Sequence, residues 1–399
     1  MGSKLVRIDQ YGATEIIGDV GDNGKQATFD YSFDYLAIAS NAKLWLYNGS
    51  VINQVTDVDL GTVVDMVWVD GYFMTTDGTS LVVTELNDPF EVNPLKYGSA
   101  EADPDPVVAL LKVRNEVYAL NRNTIEVFDN IGGDLFPFGR IEGAQIQRGV
   151  VGTHAACVFL ESIAFLGSGR NEAPAIWFGS NSQTTKISTR EIDQILLGYS
   201  EAELALATLE ARVDRGHQHL WITLPDQTLV YDGAASQVMG EAVWFTQTSS
   251  LFTKGALRAR NLVWCYDRWL AEDPTTALHG YMDNTIASHY GEVVGWEFGT
   301  LITYNEGRGA IFHELELVCL TGRVELGLDP IIWTQYSLDG ETWSMIKNIR
   351  VGKQGERLKR ITWLQQGAMR QWRIQRFRGT SDSKLTVARL EARVEPLAV

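Results

Sequence analysis

The chain has 399 residues, 45% hydrophobic and 21% charged, which excludes a disordered polypeptide and is enough for one large repeat domain plus a smaller lobe. Its net charge of −16 disfavours bare nucleic acid and anionic lipid over most of the surface. No apolar run reaches the 18 residues that a spanning helix needs, so no membrane contact is expected.

The balance of 37 Gly and 12 Trp against 10 Pro suits short strands joined by tight turns. In chain order, "NAKLWLYNG" starts at Asn41, "GYFMTTDGTSLVVTEL" at Gly71 and "NEVYALNRNTIEVFDN" at Asn115. "SIAFLGSGRNEAPAIWFGSN" follows from Ser162, "HLWITLPDQTLVYDG" from His219 and "NLVWCYDRWL" from Asn261. Several share one plan: a strand of alternating apolar residues, a polar turn, then a second strand ending in Asp or Asn with Gly. In the second unit, Asp77-Gly78 supplies the positive φ that a hairpin turn requires. The units recur every 30 to 57 residues, mostly near 45, the period of a four-stranded propeller blade. The pattern predicts an all-β fold: a β-propeller of five to seven blades, six favoured, over residues 1–300. A pair of β-sandwiches is the alternative.

The propeller reading is interrupted at "KISTREIDQILLGYSEAELALATL", Lys186 to Leu209. Ser188 with Glu191, and Ser200 with Glu203, have capping-box spacing. Ile192, Ile195 and Leu196 form one apolar stripe, and Leu206, Leu209 and Val213 a second. An inserted helix pair is therefore expected over about 188–213, either covering one end of the propeller or binding a partner through Arg190, Asp193 and Glu201.

Residues 301–399 lack the blade period and predict a separate β lobe or ring-closing sheet. From Met345 to Arg389 there are 12 Lys and Arg against Glu356 and Asp382, a local +10 that leaves −26 for the rest. Lys347, Arg350, Lys353, Arg357, Lys359 and Arg360 are candidates for a face that docks an acidic protein neighbour, with two ordinary solvated surfaces as the alternative. Cys157, Cys265 and Cys319 are odd in number and widely spaced, so free buried thiols in a reducing compartment are expected.

Motifs for catalysis are not found. There is no phosphate loop, Rossmann glycine pattern or HExxH, and no cofactor is expected. His217 and His219 put two imidazoles on one side of a strand, but the sequence places no third ligand, so no metal is assigned. "SLDGETW", Ser337 to Trp343, is one residue short of the S-x-D-x-G-x-T-W box of sialidases. That box is a turn device, and no Arg cluster or Tyr nucleophile can be assigned beside it. A glycosidase or sialidase acting on host surface sugars is the rival function. A sugar-stacking module using Trp333, Trp363 or Trp372 comes last.

One stretch carries a family resemblance. "QRGVVGTHAACVFLESIAFLGSGRNEAPAIWFGSNSQTTKISTREIDQIL" resembles the packaged-DNA stabilisation, or tail hub, proteins of short-tailed bacteriophages. The shared features are a QxGxxGTxA entry (Gln147, Gly149, Gly152, Thr153, Ala155), Ala173-Pro174, an "IST..I" helix start (Ile187, Ser188, Thr189, Ile192) and a strand ending in Tyr231-Asp232. The C-terminal "SLDGETWS" and "RLKRITWLQQGAMRQWRIQRF" are similar as well. The likeness covers roughly residues 30 to 395 and is most specific from Gln147 to Gly233; family members usually carry a longer segment before the first blade. It implies a catalytically silent building block of the virion tail, assembled in the host cytoplasm. It implies a ring of copies, commonly six, beneath a portal and its adaptor, bearing tail needle or fibre proteins. An acidic body would let DNA pass without specific binding, because carboxylates make no counterion-releasing phosphate contacts.

Overall fold

The computed structural model describes residues 2–100, 103–180, 182–251, 255–380 and 386–397; Asp382 and Lys384 of the basic run lie outside them. The chain divides into two compact units, Met1–Gln247 and Thr248–Val399.

The first unit opens with a hairpin, Lys4–Ile8 with Thr14–Asp19, and continues as five antiparallel sheets in chain order. Their first strands are Thr28–Tyr31, Asp65–Val69, Val107–Val113, the split pair Gly149–Val150 and Ala156–Phe159, and Thr208–Asp214. Each sheet is a meander whose central hairpin is one of the first five repeat units. The turn chemistry is as expected: Gly78 has φ +98°, and Asp77 Oδ1 accepts from the N–H groups of Thr79 and Ser80.

The apolar cores of the first unit lie between sheets that follow one another in the chain. Ala37, Leu44 and Leu46 of the first sheet meet Met66 and Phe73 of the second. Met74, Leu81 and Val83 on the second sheet's other face meet Val117 and Phe128 of the third. Leu120 and Ile125 meet Ile163 and Phe165, and Leu166 and Ile176 meet Leu220 and Ile222. Central strands such as Tyr72–Thr76, Ser80–Glu85 and Glu116–Asn121 are buried on both faces, so their buried positions run on continuously instead of alternating as expected from the sequence, whereas Lys43–Tyr47 keeps an alternation. This is blade-on-blade packing, with one core layer per interface.

The first strands are stitched to one another by polar bonds. Asp30 Oδ2 accepts from Trp68 N at 2.6 Å, joining blade one to blade two. Asp65 Oδ2 accepts from Leu110 N at 2.8 Å, joining two to three. Thr153 Oγ1 donates to the Val108 carbonyl at 3.1 Å, and Leu209 N donates to the His154 carbonyl at 2.9 Å, joining three to four and four to five. Backbone groups that no ladder satisfies are therefore satisfied by the next blade.

The Gly149 to Ala155 motif belongs to this seam. A Cβ on Gly149 would lie 2.1 Å from the Asn121 carbonyl oxygen of blade three, and one on Gly152 2.1 Å from the Ala205 carbonyl oxygen. Both glycines are required by close backbone approach rather than by φ. Gly152→Ala is expected to destabilise the first unit by about 1–3 kcal/mol or more, read as a lowered urea midpoint. Asp65 offers a second test. Burial pushes its carboxyl up to about 6, against the opposing pull of Leu110 N–H, the Thr28 hydroxyl and His154. The folded value lies above the ordinary one, so the cost of ionising Asp65 is absent at low pH. It builds up as pH rises from near 4 through about 6 and is complete above that. Relative to Asp65→Asn, the natural chain should therefore lose thermal stability between pH 4.5 and 7.5.

The second unit begins with a three-stranded sheet, Arg260–Cys265, Arg268–Glu272 and His279–Tyr281, built on the sixth repeat hairpin. Beyond a short Ser288–His289/Glu292–Val293 hairpin the strands form two sheets. One orders Gly295–Gly299, Trp372–Thr380, Ile331–Ser337 and Lys347–Arg350; the other pairs Ala310–Leu320 with Ile361–Leu364, Ala368–Met369 and Thr386–Pro396. Phe312, Leu315, Leu317 and Trp363 pack against Ile332 and Phe377 between them, a β-sandwich core.

The three cysteines are free but half-buried rather than fully buried. Desolvation pushes the Cys319 thiol up to about 11, which keeps it protonated and unreactive at neutral pH.

Candidate functional site

The helix pair is shorter than its sequence pattern. Helix α1 is Arg190–Leu196 and helix α2 only Glu201–Leu204. The Ser200–Glu203 box forms, with Ser200 N donating to Glu203 Oε2 at 2.8 Å and Glu203 N to Ser200 Oγ at 3.3 Å. The Ser188–Glu191 box does not. Thr189 is the N-cap of α1, while the buried Ser188 hydroxyl donates to Asp193 and accepts from Ile176 N. Residues 208–214 are a strand, not the second helix expected through about Arg212. Leu209 and Val213 fit a period of two as well as a helical stripe, and seven residue pairs with His217–Thr223 decide for the strand. Leu206 and Val213 are accordingly 74% and 61% exposed, while Leu209 is buried. Ile192, Leu196 and Leu204 enter the core between blades four and five, so the helices plug that interface.

The three residues proposed for contact on this insertion differ in state. Asp193 is held by Lys186 Nζ at 2.5 Å and by Ser188. Glu201 takes Arg122 of blade three at 2.7 Å, a bond over 79 residues of sequence that ties helix α2 to a neighbouring blade. Arg190 is exposed beside Glu191.

The basic run is likewise divided. Arg350 pairs with Asp329, Arg360 with Glu316, and Lys359 with Glu356 at 3.6 Å, while Lys347 Nζ donates to the Gln365 carbonyl. Arg373 is fully buried, its guanidinium 4.0 Å from the Tyr336 ring and 4.2 Å from the Phe312 ring. Arg378 pairs with Glu297, and Arg376 stacks on Trp343 at 3.7 Å. The local +10 is therefore not one surface field. Lys353 and Arg357 stay exposed on the loop that also carries the 96% exposed Leu358.

The remaining motifs resolve into structure. Ser337 Oγ accepts from Gly340 N, and Asp339 Oδ1 accepts from Glu341 N and Thr342 N, so "SLDGETW" is a turn whose Trp343 packs on Arg376. Those bonds, led by the Thr342 hydroxyl, hold the Asp339 carboxyl far below the usual carboxylate range. Trp363 lies in the sandwich core, 5.5 Å from the Phe377 ring centroid, unavailable for sugar stacking. His217 and His219 gain a neighbour that the sequence did not assign: Asp232, directly opposite His219 on the next strand. The hairpin register, countable from the turn at Pro225-Asp226, would have found it.

Residues 1–287 match the family model described as "Bacteriophage P22 Gp10, beta-propeller", and residues 295–395 match "Bacteriophage P22 Gp10, beta-sandwich". The tail hub protein gp10 of Salmonella phage P22 is 25% identical over 413 residues, covering 99% of this chain and 84% of that protein. Among solved structures, PorZ of Porphyromonas gingivalis aligns at 15% identity over 88% of this chain and 43% of that one, with a TM-score of 0.38. An exo-β-1,3-galactanase from Phanerochaete chrysosporium aligns at 8% identity over 96% and 98%, with a TM-score of 0.29.

The divided state of the charged residues sets different expectations for substitution. Ser200→Ala removes a formed cap and should lower stability by about 1 kcal/mol in urea unfolding. Glu201→Ala breaks an ion pair whose carboxylate is largely exposed, although Arg122 is mostly buried, and should cost about 1 kcal/mol. The double change Lys353→Glu with Arg357→Glu should stay within about 0.5 kcal/mol of the natural chain.

Proposed function

The chain belongs to the bacteriophage P22 Gp10 family, and from that premise we propose that it is a structural tail hub subunit of a short-tailed phage. The carrying observation is the co-linear match of propeller and sandwich, with one alignment spanning 99% of the chain. In this reading the protein works as a ring of copies, six favoured, that continues the channel of the portal and its adaptor. The ring helps retain packaged DNA and bears tail needle or fibre proteins. It resides in the virion tail and is assembled in the host cytoplasm, as a building block rather than a hydrolase.

Physical features support the role. Blades locked to each neighbour by apolar layers and seam bonds resist shear, as a load-bearing ring subunit must. Outside the basic run the chain carries −26, a balance that lets DNA pass without phosphate contacts. The exposed cations Arg190, Lys353 and Arg357 are assigned to acidic protein neighbours, whereas Asp193, Glu201, Lys347, Arg350, Lys359 and Arg360 act mainly within the chain.

The test is capture. Purified chain should co-sediment with cognate portal–adaptor rings, give a ring mass by native mass spectrometry, and release no chromophore from aryl glycosides. Failure to bind the rings, or turnover of a glycoside by the monomer, overturns the reading. Lys353→Glu with Arg357→Glu should reduce capture roughly tenfold while leaving the fold intact, since charge reversal at a rim acts mostly on association.

A further inference from the structure

We propose that His217, His219 and Asp232 form a binding site for a divalent first-row transition ion of the zinc and nickel class. The inference does not depend on the hub role. It rests on how blade five places three donors.

His217 and His219 stand two apart on one strand, so both imidazoles project from the same face. His219 pairs directly with Asp232 on the next strand, which brings the carboxylate to that face as well. One donor atom from each residue lies within 4.8 Å of the other two. Asp232 Oδ2 is 2.6 Å from His217 Nδ1 and 3.6 Å from His219 Nε2. The longer distance exceeds a hydrogen bond but is close to the roughly 3.3 Å that separates two ligands of one tetrahedral zinc. The shorter one is a hydrogen bond that the ion would replace. His217 is exposed, so its ring can swing outward by the fraction of an ångström required.

The surroundings orient the donors. Asp232 is nearly fully buried, and its other oxygen, Oδ1, accepts from Ala235 N at 3.1 Å, which fixes the plane of the carboxylate. The His219 ring is held edge-on by Phe245 at 5.5 Å and stacks on His217 at 5.7 Å. His219 Nδ1 is buried with no hydrogen-bond partner among the described residues. An ion on Nε2 would leave the proton on Nδ1, where the described residues offer no acceptor, a cost that the metal bond has to exceed. The donor set selects the metal class. Two imidazoles with one carboxylate suit zinc, nickel or copper, whereas calcium and magnesium require oxygen ligands. Three protein ligands leave the remaining positions to water, on the side where His217 meets solvent. A bound ion would fasten the second and third strands of blade five to the start of helix α3, Gly233–Met239, which Asp232 caps.

The experiment uses the full, tag-free chain, stripped with chelator and titrated calorimetrically with zinc chloride at pH 7.5. One equivalent should bind, and cobalt(II) in its place should produce a visible d–d absorption band. His217→Ala, an exposed change that leaves the fold intact, should weaken zinc binding by about tenfold or more, and His219→Ala likewise. His154→Ala, on blade four, should leave the affinity unchanged. The proposal is overturned if no stoichiometric uptake occurs, or if uptake persists at natural affinity in His217→Ala, which places the ion elsewhere. Should His219→Ala fail a circular-dichroism check for folding, the His217 variant and the cobalt spectrum decide the question alone.

Discussion

The structure depends on the seam where the first strand of each blade meets the next. A sheet buried on both faces exposes polar backbone only at its edges, and each edge group needs a partner. Asp30, Asp65 and Thr153 each reach from their own segment to a backbone group of an adjacent first strand. Unpaired, such groups would cost about 1–3 kcal/mol each. Paired, they set the angular relation of neighbouring blades, because a side chain of fixed length accepts only one spacing. Asp65 shows the tension of this arrangement: burial opposes its charge while the Leu110 N–H favours it.

From the seam outward, each element has one task. The apolar layers between blades supply most of the cohesion, and the glycines at 149 and 152 let backbones approach closer than any side chain permits. Helices α1 and α2 fill the mouth of the fourth interface with Ile192, Leu196 and Leu204, and Arg122 anchors α2 from blade three. The insertion is thus first a structural plug, and its solvent-facing side carries Arg190, the residue proposed above for contact with a neighbour. The same division governs the sandwich, where Arg373 is spent on the core and Lys353 and Arg357 are left outside.

The tail hub role proposed above calls for a stiff subunit, which blade-on-blade packing supplies; the proposed contacts with acidic neighbours and the proposed passage of DNA draw on the exposed cations and on the acidic balance of the chain. At the turn Ser337 to Trp343 the hydroxyl and the carboxylate are taken up by backbone N–H groups, so this sialidase-like segment is a structural turn.

Much was legible in the sequence alone. The hairpin period, the Asp77-Gly78 turn, the Ser200–Glu203 box and the C-terminal strands all follow from local rules, since each depends on residues within a few positions of one another. Gly149, Gly152 and Thr153 could be recognised as a motif, but their purpose lies in contacts with Asn121, Ala205 and Val108, distant in sequence. Only the tertiary structure decided that residues 208–214 are strand, because strand and helix patterns coincide there and the partner strand arbitrates. It alone decided which cations stay in solvent, for charge counts are blind to Glu316, Asp329 and Glu297 folding back onto Arg360, Arg350 and Arg378. It alone set Asp232 beside two histidines, since a site drawn from adjacent strands is set by register, a property of the pair and not of either strand.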